Sequence, residues 1–135
     1  MKRILAVIIF AMMTLMAAFA EGQQQVEKRV EIPVGTVSIE DGEFAGQGIT
    51  NVTIPGSVVS IGYAAFADNK LTSVAIPDSV TYIGDMAFSG NSLTSVTLPA
   101  DVELGDEALP CQAVYEENDK QAGTYVASGG TWIKQ

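Results

Sequence analysis

The chain has 135 residues, enough for one domain plus a targeting segment, and its formal net charge of −9 leaves sixteen acidic residues against seven basic ones. Such a surface repels phosphate backbones and anionic lipid, which excludes nucleic acid and an anionic membrane surface as natural partners. Histidine is absent and Cys111 is the single cysteine, so the commonest general base, the commonest transition-metal ligand and any internal disulfide are excluded together.

Met1-Lys2-Arg3 opens the chain with positive charge, and an apolar run of 17 residues follows from Ile4 to Ala20, interrupted only by Thr14. It closes on Ala18-Phe19-Ala20, small residues at the first and third places, and polar Glu21-Gly22-Gln23-Gln24-Gln25 begins directly after. This is the pattern of a secretory signal peptide over 1–20, cut before Glu21. The rival is an uncleaved anchor, for which the run stands at the lower limit of length. Position 21 is not cysteine, which argues against a lipid anchor. The reading therefore expects export (secreted, periplasmic or at the cell surface) and no membrane insertion after cleavage.

A fixed period follows. Pro33, Pro55, Pro77 and Pro99 are each 22 residues apart, preceded by Ile32, Ile54, Ile76 and Leu98, with Val30, Val52, Val74 and Val96 two places earlier still. Ile39, Ile61, Ile83 and Leu104 form another column, and Phe44, Phe66, Phe88 and Leu109 a further one. Four coils result, near 27–48, 49–70, 71–92 and 93–113, the last one residue short. In Leu71-Thr72-Ser73-Val74-Ala75-Ile76 the alternation of apolar and small or polar residues predicts a short strand with one buried face, which Pro77 ends because it has no N–H to give. Gly62 and Gly84, after Ile61 and Ile83, are expected to turn the chain through positive φ. Asn69 and Asn91 are expected at the corner before the next strand, bonding nearby backbone. One such coil cannot bury its own apolar face, but stacked coils can. The predicted fold is a repeat solenoid, mainly β: a short stack of four 22-residue coils over 21–113. At roughly 4.8 Å per coil it is about 20 Å long.

Beyond Pro110-Cys111 the period stops. Ala122–Val126 and Gly130–Ile133 read as two strands with Ala127-Ser128-Gly129 as the turn, so 114–135 is expected to form a hairpin that caps the last coil with Tyr125 or Trp132. The competing reading is an aromatic contact patch.

The motif Leu-Thr-Ser-Val-x-Ile/Leu-Pro-x-x-Val-x-x-Ile-Gly-x-x-Ala-Phe-x-x-Asn, complete at 71–91 and well kept at 49–69, resembles the BspA-like or treponemal leucine-rich-repeat family. The first coil departs from it with Lys28-Arg29 and Glu40, and the fourth with Leu109 in place of phenylalanine. The resemblance implies that the stack is a right-handed leucine-rich-repeat solenoid, and that the protein is bacterial, secreted or surface-displayed, with a role in attachment to host matrix proteins or other cells.

Outward positions between the core columns form three ladders. These are Lys28, Thr50, Thr72, Thr94; Arg29, Asn51, Ser73, Ser95; and Glu31, Thr53, Ala75, Thr97. They are the candidate protein-binding strip, and Lys28-Arg29 is its only clustered positive charge. Two functions remain: a protein-interaction module, and a structural or passive envelope protein without a specific partner. An enzyme is not expected, for want of a nucleophile–base pair, and neither is a cofactor, a small-molecule substrate or a metal. The neighbouring acids Glu40-Asp41, Asp106-Glu107 and Glu116-Glu117 do not converge if extended, and no calcium-loop pattern occurs. Cys111 is expected to be an inert, partly buried thiol, with pairing between chains as the alternative. Asn51-Val52-Thr53 has the glycosylation form but coincides with a strand column.

Overall fold

The computed structural model describes residues 26–135. The expected signal segment at 1–20 and its expected cleavage site lie outside the described residues. Four strand pairs follow one another: β1 (Arg29–Glu31) and β2 (Ser38–Ile39), β3 (Asn51–Thr53) and β4 (Ser60–Ile61), β5 (Ser73–Ala75) and β6 (Tyr82–Ile83), β7 (Ser95–Leu98) and β8 (Glu103–Leu104). A helix, α1 (Gln112–Glu117), and a hairpin, β9 (Gly123–Ser128) and β10 (Thr131–Lys134), complete the chain. The architecture is the expected solenoid, mainly β, with about 22 residues per turn.

Equivalent strands of successive coils pair in parallel, because each coil alone leaves its edges and its apolar face uncovered. On one side Ser38, Ser60, Tyr82 and Glu103 stand in register in the order β2-β4-β6-β8. On the other side Arg29 pairs with Asn51, and Ser73 with Ser95. No ladder joins β3 to β5, so this side is divided into a β1-β3 pair and a sheet ordered β10-β9-β7-β5.

The core columns fill the space between the two sides. Val30, Val74 and Val96 are buried, as are Ile39, Ile61 and Ile83, while Val52, beside the break between β3 and β5, is only half-buried. Phe44, Phe66 and Phe88 stack with ring centroids 5.2 Å apart and planes 7° and 12° from parallel, which sets one ring per coil. Asn69 and Asn91 do what corner asparagines are expected to do. The Asn69 amide nitrogen donates to the carbonyls of Phe44 (2.8 Å) and Phe66 (2.9 Å), and its oxygen accepts from the backbone N–H of Gln47 and Ile49. Asn91 repeats this with Phe66, Phe88 and Leu71 one coil on. In the first three coils the carbonyl of Pro33, Pro55 or Pro77 accepts from the N–H three residues later, at Thr36, Val58 and Val80, all at 3.1 Å, so the strand ends in a tight turn.

Two expectations are corrected. Gly62 and Gly84 do not adopt positive φ. A Cβ at Gly84 would stand 2.8 Å from the Gly62 carbonyl carbon, and one at Gly62 would stand 2.8 Å from the Asp41 nitrogen, so glycine is needed for close passage of neighbouring coils. The left-handed turn comes two residues later, at Gly42, Ala64, Met86 and Glu107, with φ of 62°, 50°, 56° and 53°. Three of these four are not glycine. The N–H groups of Gly42, Ala64 and Met86 are bonded to the next coil at 2.8–3.0 Å, which holds the conformation.

The second correction concerns the tail. The turn of the hairpin is Gly129-Gly130 and not Ala127-Ser128-Gly129, and the hairpin is not the only cap, because α1 precedes it. Tyr115 on α1 and Tyr125 on β9 are both fully buried and meet edge to face at 5.6 Å, whereas Trp132 is half-buried. β9 runs antiparallel beside β7, Val96 opposite Tyr125, so the hairpin extends the sheet while α1 closes the core.

Candidate protein-binding face

The strand ladders place the predicted strip on one surface. Arg29 lies beside Asn51, Glu31 beside Thr53, Ser73 beside Ser95, and Ala75 beside Thr97. Arg29, Glu31, Thr53, Thr72, Ser73, Ala75, Thr94 and Thr97 are exposed, while Lys28, Thr50, Asn51 and Ser95 are half-buried. The strip is not one ladder from end to end, because of the break between β3 and β5.

The first of the three ladders is largely committed to the stack. Thr50 Oγ1 accepts from the Lys28 N–H at 2.9 Å and donates to the Lys28 carbonyl at 3.2 Å, and Thr94 Oγ1 donates to the Thr72 carbonyl at 3.2 Å. Lys28 Nζ donates to the Gln47 carbonyl at 3.0 Å. The basic pair is therefore one tethered ammonium and one exposed guanidinium, that of Arg29.

The face also continues beyond the three ladders, onto the hairpin. Ser95 stands opposite Val126, and Val126 opposite Ile133; Thr97 stands opposite Thr124, their hydroxyls 3.0 Å apart. Directly opposed residues in an antiparallel pair share a side. Val126 and Ile133 thus add an apolar end to a strip of small polar groups, and Ile133 is 46% exposed. A strand at 122–126 was readable in the sequence. Its docking place was not, because that depends on the free edge of β7.

Other chemically suggestive residues are occupied structurally. Asp41 Oδ1 accepts from the Tyr63 N–H at 2.8 Å and Asp85 Oδ1 from the Asp106 N–H at 3.0 Å, each tying one coil to the next. Cys111, at the N-cap position of α1, is wholly buried, and that burial pushes its thiol up from 9.0 to about 11. Burial likewise raises Tyr115 and Tyr125 above the ordinary tyrosine value. A groove of about 280 Å³ lies between Phe88, Asn91, Leu93, Leu109 and Pro110, with Glu107 at its edge; the Asn91 amide there is spent on backbone. Among the described residues no three metal-ligating side chains cluster, and no helix is long and apolar enough to cross a membrane.

The model of the BspA type leucine rich repeat region matches residues 17–115, in six copies of its unit. The chain belongs to this family. The match covers most of the sequence and ends at Tyr115, the anchor of α1, so in this BspA-type repeat protein it takes in all four coils and most of α1. No curated protein and no solved structure matches the chain. Repeat solenoids of this kind are protein-interaction scaffolds, and that level of function is what family membership carries.

Proposed function

We propose that this BspA-type repeat protein is an exported interaction module that binds a matrix or cell-surface protein of a host or neighbouring cell across its strand face. The observation that carries the reading is the surface running from β5 through β7 to β10. Its small groups Ser73, Ala75, Ser95 and Thr97 allow close approach, and Val126 and Ile133 give an apolar end. Stacked short side chains let a partner's bulkier groups approach the sheet, and apolar anchors near a polar strip suit an interface. A passive envelope role is the second reading, favoured by the hydroxyls of Thr50 and Thr94, which serve the stack.

The test uses the exported chain, which should begin at Glu21 by mass spectrometry, as bait for matrix and cell-surface proteins. Thr72→Arg with Ala75→Glu places bulk and charge in the middle of the strip, and Asp78→Arg on the turn after β5 is the control. The double variant should weaken binding at least tenfold, about 1.4 kcal/mol or more, and the control should not. Unchanged affinity with circular dichroism intact would take the site away from the strand face. Failure to retain any such protein would favour the passive reading.

A further inference from the structure

The two ends of the stack are finished differently. The last coil is closed by α1 and β9, whereas among the described residues nothing pairs with the outer edge of β1. The Lys28 carbonyl and the Ile32 N–H are bonded to coil two, the latter to the Thr53 carbonyl at 3.1 Å. Backbone groups alternate sides along a strand, so those of Arg29 and Glu31 point the other way, towards the free edge. Among the described residues the three most exposed large apolar ones, Val34, Val26 and Val37 at 90%, 66% and 60%, all fall within residues 26–37 at this same end. A free edge beside exposed valines is a surface that pairs with another strand.

The sequence of that edge selects the strand. We propose that it pairs antiparallel with the same edge of a second copy, about a two-fold axis through Val30. In that register Val30 faces Val30, and Arg29 of each copy faces Glu31 of the other. Arg29 and Glu31 are the two residues whose backbone groups are free, and both side chains are exposed on the same face. The pairing therefore forms ladder hydrogen bonds and two opposed ion pairs at once. A parallel arrangement, or one shifted by two residues, sets neither pair. A strand reading basic–apolar–acidic is complementary to itself in the antiparallel direction. The dimer joins the two strand faces edge to edge and does not depend on what those faces bind.

Sedimentation equilibrium of the full exported chain tests this. The wild type should be a dimer in reversible equilibrium with monomer. Arg29→Glu alone sets glutamate against glutamate twice, Glu31→Arg alone sets arginine against arginine twice, and each should raise the dissociation constant roughly tenfold. The double swap, and an equimolar mixture of the two single variants, should restore association. Both side chains are exposed, so the variants should keep the wild-type circular dichroism. A wild type that stays monomeric overturns the proposal, as does a dimer indifferent to the single charge changes or a double swap that fails to restore it. Dimerisation only after removal of residues 21–25 also overturns it, by showing that the chain covers its own edge.

Discussion

At the fourth coil one hydroxyl replaces a backbone hydrogen bond. In the first three coils the proline carbonyl takes the N–H three residues on. At Pro99 the hydroxyl of Tyr115 stands between the two, donating to the Pro99 carbonyl at 2.8 Å and accepting from the Val102 N–H at 3.0 Å. All of these atoms are buried, so removing the hydroxyl strands a donor and an acceptor together. Tyr115→Phe should cost on the order of 1–3 kcal/mol in urea unfolding. A variant as stable as wild type would mean that the turn closes on itself as in the other coils. Neither this role nor that of Gly84 could be read locally. The partner of Tyr115 lies 16 residues away, and what forbids a Cβ at Gly84 is the backbone of the coil before it.

Elements of the stack are stabilised by likeness between coils more than by anything inside one coil. Strands of two to four residues have no independent stability, and they persist because each column continues into the next. The phenylalanine ladder is the test case. Phe88 is the last ring of the ladder, beyond Phe66 and followed by Leu109 in place of a fourth. Truncation to alanine removes a stacked face and opens a void, so Phe88→Ala should cost about 3–5 kcal/mol, read as a lowered unfolding midpoint. A melting temperature within a degree of wild type would contradict the ladder's structural role. Repetition made these strands legible from spacing alone. The helix α1 was not legible because it occurs once, spans six residues and has no side-chain cap to announce it. Its place is fixed by Tyr115 reaching the core.

For the whole molecule the cap supplies a dependence on pH. Burial raises Cys111, Tyr115 and Tyr125, which gather where α1 and β9 meet the last coils. The unfolded thiol loses its proton near its ordinary value of 9.0, while the folded one keeps it to about 11. Between those values the unfolded state binds fewer protons than the folded state, so stability falls as pH rises. Stability from this group should therefore hold below about pH 9 and decline above it, by roughly 2–3 kcal/mol near pH 11. Urea unfolding across that range checks it, and Cys111→Ala should flatten the decline. Iodoacetamide should leave the folded protein unlabelled at neutral pH and label it after denaturation. Labelling of the folded chain would contradict the burial.

The sequence by itself determined the period, the inward columns and the corner asparagines. These are properties of one coil copied, and a repeated environment writes itself as a repeated residue. Only the tertiary structure decided what depends on relations between unlike parts. It broke the strand face between β3 and β5, turned the hydroxyls of Thr50 and Thr94 inward to the stack and tied down Lys28. It also laid β9 along the edge of β7, which lengthened the face by Val126 and Ile133. A strand's pattern says which of its sides is buried, but the neighbour that accepts its edge is chosen by whichever edge remains free once the coils have stacked.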